Sequence, residues 1–551
     1  MSRPVNTSAK FRLPFNLPAA VQMGVHTADP LHPYWKAQME RVICLNLCVR
    51  KEAHDFIEGF PEDELDKADG VYTNCLANFC AIVSSAEETV EYMRYPGNSF
   101  DRQLQQLQNA PSTVDLSISP AEQAGLDCQH RLQYLAEKLQ RLSRENPDVM
   151  LQWGNDLYNQ GDLDSALQYY QRCLELDPDF LQAKYNMATT LLDLDRPQEA
   201  FPIFEEIVKI QPDHADAWNS LGRICARYRE WDRAIAFYEK AVSIQPDQAT
   251  AHWHLGIELL RKGDFMRGWE EYEWRWRTPG FTPLNVPKPR WQGEDISDKT
   301  ILLYTEQGTE EAIQFIRYAP IVKRLCKRLL VLCPKQLYGL FKLVEGIDEL
   351  LLAGEILLSS FDTYIPLLSV PQVLKTTLDN IPAAIPYITP VFRPQIDEFM
   401  QEHLGKFNVG FAWASNNDLR SCPIIDLLPI LAMSGVTFFS LQKGDRARDL
   451  QQLPNTVQVI DLEPYLKDYL DLAWAMTKLD LIISVDSSVL HLAGAIGKPA
   501  WGMLCFVPDW QWLRLQETSP WYPSMRLFWQ QEYKSWAEVV ESVQRALLQL
   551  Q

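Results

Sequence analysis

The stretch Leu481-Ile482-Ile483-Ser484-Val485-Asp486-Ser487-Ser488-Val489-Leu490-His491-Leu492-Ala493-Gly494-Ala495-Ile496-Gly497-Lys498-Pro499, continuing into Ala500-Trp501-Gly502-Met503-Leu504, decides how the C-terminal part of the chain folds. Residues 481–485 form an apolar run of the kind found in a buried parallel strand. Asp486, Ser487 and Ser488 bring helix-capping chemistry. Residues 489–496 read as a short helix of small and apolar residues, which Gly497 and Pro499 stop. Residues 500–504 read as the next strand. Strand, capped helix, strand is one parallel βαβ step. Its helix N-terminus gathers free N–H groups and the positive end of the dipole beside two hydroxyls, an arrangement suited to a diphosphate. His491 lies one helical turn after Ser487 and can face the same bound group. The plainer alternatives are capping alone for Asp486 and the serines, and a packed core histidine for His491.

The strings that follow are Phe506-Val507-Pro508-Asp509-Trp510-Gln511-Trp512 and Ser519-Pro520-Trp521-Tyr522-Pro523-Ser524-Met525-Arg526-Leu527-Phe528. Taken with Asp486 to Pro499, they resemble the C-terminal signature of GT-B glycosyltransferases of the heptosyltransferase-like fold. They are closer still to bacterial proteins that join tetratricopeptide repeats to such a domain. The fold implied is α plus α/β: N-terminal helices, a tetratricopeptide α-solenoid, then two Rossmann-like lobes with a cleft between them.

The residues upstream fit that plan. From 300 onward, strand-like runs (301–304, 329–333, 409–413, 436–441, 481–485, 500–504) alternate with helical stretches (312–327, 335–344), the pattern of parallel α/β layers. The expected lobes are 300–385 and 405–535, with a closing helix at 536–550. Before them, 147–277 repeats with a period of 34. Gly154, Ala188, Gly222 and Gly256 keep the step; so do Ala166, Ala200, Ala234 and Gly268, and so do Tyr170, Phe204, Tyr238 and Tyr272. A small residue where two helices cross, an aromatic between pairs and a proline after the second helix make this the tetratricopeptide signature, in four units. Two positions before each small residue stand Gln152, Asn186, Ser220 and His254. In O-GlcNAc transferases, which share the repeat, an asparagine row there holds peptide backbone; the resemblance implies a peptide groove along these four, of which only Asn186 keeps the asparagine, and the plainer alternative is a solvated row. The aromatic run from Trp269 to Arg277 reads as a cap on the next domain, and 278–299 as a Pro-rich connector. Residues 1–33 read as a loose arm and 34–130 as a helical region matched to no family. Cys44, Cys48, Cys75 and Cys80 read there as core thiols.

Bulk properties narrow the function. Of 551 residues, 46% are hydrophobic and 23% charged, and the formal net charge of −20 lacks the basic footprint expected of a nucleic-acid binder. The expectations are a cytoplasmic protein with no membrane span, since no signal peptide reads at the N-terminus and no apolar run is long enough to cross a bilayer. No metal site reads from His, Cys and acidic spacing, and no cofactor is expected beyond a nucleotide-sugar used as substrate.

The resemblance implies glycosyl transfer from a nucleotide-sugar to a protein or glycan acceptor recruited by the repeats. Donor contacts would come from Gln442, Lys443, Asp486, Ser487, Ser488 and His491. Asn417, Asp418 and Arg420 would line the cleft. The base would be Glu311: similar proteins carry Glu-Gln-Gly-Leu-Gly-Asp after the first strand, where this chain has Glu306-Gln307-Gly308-Thr309-Glu310-Glu311. The second glycine has become Glu310 and the aspartate has become Glu311. The loop after Trp413 is also shorter and keeps one arginine. The other reading is a catalytically degenerate scaffold that keeps the GT-B shell.

Overall fold

A computed structural model of the chain describes residues 146–352, 354, 360–382 and 384–550. The expected arm, the helical region at 34–130 and its cysteines lie outside the described residues. The chain divides into two units, Met1–Pro212 and Asp213–Gln551.

In the first unit four helices form two pairs: α1 (Pro147–Asn159), α2 (Leu163–Leu176), α3 (Leu181–Asp193) and α4 (Pro197–Ile210). Asn146 and Asp162 cap α1 and α2 by accepting from Asp148 N and Ser165 N. The need for a small residue at each crossing is visible at Gly154, where a Cβ would fall 2.5 Å from the buried Tyr170 ring. Ala166, Ala188, Ala200 and Phe204 are likewise buried.

The second unit continues with α5 (Ala215–Arg227), α6 (Trp231–Ile244), α7 (Ala249–Lys262), α8 (Phe265–Tyr272) and a 3₁₀ turn, Glu273–Arg277. A left-handed residue recurs with the same period: Gly161, Asp195, Arg229 and Gly263 all have positive φ. Glycine serves this turn at two of the four positions; Asp195 and Arg229 adopt it with a side chain.

Two parallel sheets follow. The first, in order β3-β2-β1-β4, contains β1 (Ile296–Tyr304), β2 (Cys326–Leu332), β3 (Glu349–Leu351) and β4 (Thr363–Pro366). The second, in order β10-β9-β8-β5-β6-β7, contains β5 (Asn408–Ala412), β6 (Thr437–Ser440), β7 (Val459–Asp461), β8 (Leu481–Val485), β9 (Ala500–Leu504) and β10 (Met525–Trp529). Strand order reverses between β1 and β4 in one sheet and between β5 and β8 in the other. In open parallel sheets, the crevice beyond the carboxyl ends of the strands at such a switch is where ligands bind.

Several boundaries differ from the sequence reading. β1 begins at Ile296, inside the expected connector, and Trp291 N donates to Tyr364 O at 2.9 Å, so the connector runs beside β4. The helix expected over 312–327 is broken into α9 (Thr309–Phe315), a 3₁₀ turn (Ile316–Tyr318) and a short helix (Ala319–Lys323), because Pro320 cannot continue the hydrogen-bond ladder. β2 therefore starts at Cys326. The short strands β3 and β7 and the edge strand β10 carry no separate signal in the sequence reading. The helix that starts after β8, α10 (Ser488–Ala495), packs against α9, and α11 (Ala537–Leu548) closes the chain.

Candidate active site

The segments that follow β1, β5, β8 and β9 meet around one guanidinium. Arg420, on the loop after β5, lies 3.4 Å from Glu310 Oε2, 3.4 Å from Asp486 Oδ2 and 3.1 Å from Asp509 Oδ2. Glu310 follows β1, Asp486 follows β8 and Asp509 follows β9. Both switch points thus open onto the same charge cluster.

Glu311 stands beside it. Its carboxylate folds back over Gly308, where a Cβ would fall 2.6 Å from Oε2; the glycine makes room for the acid. Burial, then the charge of Asp509, pushes Glu311 up to about 7, against the pull of its own amide and of Arg420. Burial, with Asp486 and Glu311 nearby, pushes Glu310 up to about 8. Burial also acts to raise Asp486, but His491 and Arg420 outweigh it and hold the carboxyl below its ordinary value. Burial works against the charge of Arg420, yet Asp486, Asp509 and Glu310 raise it further above its usual range.

His491 is buried. Its Nδ1 meets Tyr522 OH at 3.0 Å, and its Nε2 lies 3.8 Å from Asp486 Oδ1. Ser487 is the cap residue of α10, but its hydroxyl meets Ser484 Oγ at 2.9 Å and makes no side-chain cap bond. Ser488 Oγ accepts from Tyr469 OH at 3.0 Å.

The remaining candidates are spread more widely. Gln442 is buried, and its carbonyl accepts from Trp413 N and Ala414 N at 3.1 and 2.9 Å, so it fastens the end of β5. Lys443 is exposed and donates to Leu466 O. Asn417 caps the turn at Leu419, and Asp418 is exposed and pairs with Arg446. Of the proposed groove residues, Gln152 donates to Asp156 Oδ1 at 3.0 Å and Asn186 to Asn155 Oδ1 at 2.7 Å. His254 Nδ1 meets Asn219 Oδ1 at 2.9 Å, and burial pulls the ring down to about 4, with Arg223 adding to the shift. Ser220 is 3% exposed and so does not stand on an open groove.

Sequence reasoning missed Asp509, Tyr522 and the pair Arg275–Glu306. Glu306 accepts from Leu367 N, Leu368 N and Arg275 at 3.0, 3.1 and 3.2 Å, and burial pushes it up to about 7 despite those donors. The signal was present: all four residues sit inside the quoted strings, but a string does not say which of its members meet.

Among the described residues, no group of three or more His, Cys, Asp or Glu could hold a metal ion, and no helix is long and apolar enough to cross a membrane.

Comparison with known proteins shows that the chain carries tetratricopeptide repeats: the family model matches residues 157–224 and 191–256. Protein FlbA of Caulobacter vibrioides is 26% identical over 442 residues, which cover 73% of this chain and 67% of that protein. Protein O-mannosyl-transferase Tmtc3 of Drosophila melanogaster is 30% identical over 80 residues, covering 14% of this chain and 9% of that protein. Among solved structures, the glycosyl transferase family 9 protein of Veillonella parvula shares 14% identity over 46% of this chain and 92% of that one, with a TM-score of 0.35.

Proposed function

We propose that the chain transfers a sugar from a nucleotide-sugar to a protein or glycan acceptor, in a GT-B-like cleft between its two parallel sheets. The observation that carries this reading is Glu311: a carboxyl pushed to about 7, at the carboxyl end of β1, beside the cluster formed by the loops of the second sheet. A general base works best with an acidity close to the working pH. In this reading Glu311 takes the proton of the acceptor hydroxyl. The hydroxyl oxygen attacks the anomeric carbon, and the bond from that carbon to the diphosphate breaks. The backbone N–H groups opening α10, with Ser487 and Ser488, receive the leaving diphosphate. Arg420 and Lys443 supply cationic contacts, and Asp486 and His491 orient the sugar. The repeats gather the acceptor, since tetratricopeptide repeats are protein-binding modules.

A second reading, a scaffold that keeps the shell without turnover, is favoured by one observation: Arg420 already faces three carboxylates in a cleft that must accept an anion. The test separates the two. Nucleoside diphosphates and nucleotide-sugars are titrated calorimetrically into the parent and Glu311→Gln proteins, and transfer is assayed with the donor that binds. Loss of transfer with nearly unchanged nucleotide affinity supports Glu311 as base. Equal loss of both removes the assignment, and no binding by the parent favours the scaffold.

A further inference from the structure

The walls of the cleft are held from outside the two sheets. Arg261, in α7, is 4% exposed and donates from Nη1 to Pro508 O at 2.7 Å. Pro508 precedes Asp509, the residue that meets Arg420. Two residues earlier in the same loop, Phe506 O accepts from Arg229, whose Nη2 also donates to Gln530 O at 2.8 Å and whose guanidinium lies 4.0 Å over the Phe506 ring. Two arginines from the repeats, Arg261 in α7 and Arg229 in the turn between α5 and α6, therefore anchor alternate carbonyls of one loop. The opposite wall is treated alike. Tyr272 OH, at the end of α8, accepts from Gln307 Nε2 at 2.8 Å, and Arg275 meets Glu306. Both contacts fall on the 305–308 loop that leads into α9, whose first turn carries Glu310 and Glu311. Trp510 fills the space beside them, edge-on to Trp269 at 5.3 Å.

We propose that Arg261 and Tyr272 are positioning residues: the last repeat is part of the cleft, and these two side chains set where the carboxylate-bearing segments stand. A docking contact alone would have no need to reach the main chain of the 505–509 loop with a buried guanidinium, nor to seat a phenol on Gln307. The consequence is electrostatic. The groups facing Glu311 are Asp509, Arg420, Asp486, Glu310 and the phenol of Tyr272. With the Pro508 carbonyl released, Asp509 recedes and water enters, and both changes return Glu311 toward an ordinary glutamate. The proposal rests on the reading of Glu311 as the base for its meaning, but its measurement does not require turnover.

The experiment uses the full chain. Reaction of Glu311 with a carbodiimide, which takes the protonated carboxyl, is followed by mass spectrometry against pH, and amide exchange of 505–509 is read in parallel. The variants are Glu258→Gln with Arg261→Met, Arg261→Lys and Tyr272→Phe. The first also neutralises Glu258, the buried partner 3.0 Å from Arg261, so that no charge is stranded. The expected result is a Glu311 midpoint lower by about one pH unit or more in the double variant and in Tyr272→Phe. Exchange in 505–509 should be faster by about tenfold in the double variant, with both readouts restored by Arg261→Lys. A midpoint that stays in place while the contacts are severed overturns the proposal, even if melting temperature falls. A shifted midpoint in a protein that transfers no sugar sustains the positioning role and removes the enzymatic reading instead.

Discussion

Arg420 and Glu310 lie 3.4 Å apart, one on the loop after β5 and the other in the first turn of α9, which follows β1, so a single contact bridges the carboxyl ends of two separate sheets. The same guanidinium meets Asp486 and Asp509. It is the cation that any anionic ligand entering this cleft encounters among those carboxylates. Arg420→Gln should weaken nucleoside diphosphate binding by about 1.5–3 kcal/mol, the range for hydrogen bonds to charged groups. Calorimetric titration measures it, and unchanged affinity would place the nucleotide elsewhere.

Lys443 donates to the Leu466 carbonyl from an exposed loop at the end of β6. To meet a diphosphate it must exchange that carbonyl for phosphate oxygen. Lys443→Ala is expected to weaken nucleoside diphosphate binding by about 1–3 kcal/mol, with a shallower salt dependence than the parent. Equal affinity in parent and variant would take Lys443 out of the site.

Arg275 is fully buried, and its guanidinium is shared among Glu273, Glu306, Ser369 and the Tyr272 carbonyl. Removing one partner of a buried ion pair strands the others, which costs about 3–5 kcal/mol. Arg275→Met should lose stability of that order in denaturant unfolding, and adding Glu306→Gln should restore part of it. A loss below about 1 kcal/mol, the scale of an exposed pair, would show that water already reaches the network.

Glu310 predicts a pH dependence with a definite sign. Its acidity is pushed up to about 8 in the folded chain, so between the ordinary glutamate value and pH 8 the folded state holds more protons than the unfolded one. The stabilising contribution is fully present below about pH 4.3 and is lost as pH rises through about 8. Glu310→Gln mimics the protonated form and should flatten that fall. At pH 8.5 the variant should melt above the parent and be more stable by as much as about 5 kcal/mol, the separation between the folded and unfolded acidities, and the gap should close toward pH 5. A gap independent of pH would mean that Glu310 does not titrate in this range.

The sequence by itself determined the elements whose signal is local. The 34-residue period placed the small and aromatic residues of the helix pairs, because each helix crossing repeats the same steric demand: Gly154 faces Tyr170, and Gly222 faces Tyr238. The apolar runs at 481–485 and 500–504 marked β8 and β9, because a strand covered on both faces leaves no polar alternation to misread. Tertiary structure alone decided which charges meet. Arg420, Glu310, Asp486 and Asp509 are up to 199 residues apart in the chain and become neighbours only because two sheets direct their carboxyl ends at one crevice. The tasks of Gln442, which secures the end of β5, and of Ser220, which packs inside, were equally hidden. Each depends on the backbone or helix brought beside it, and residue type and spacing do not encode that proximity.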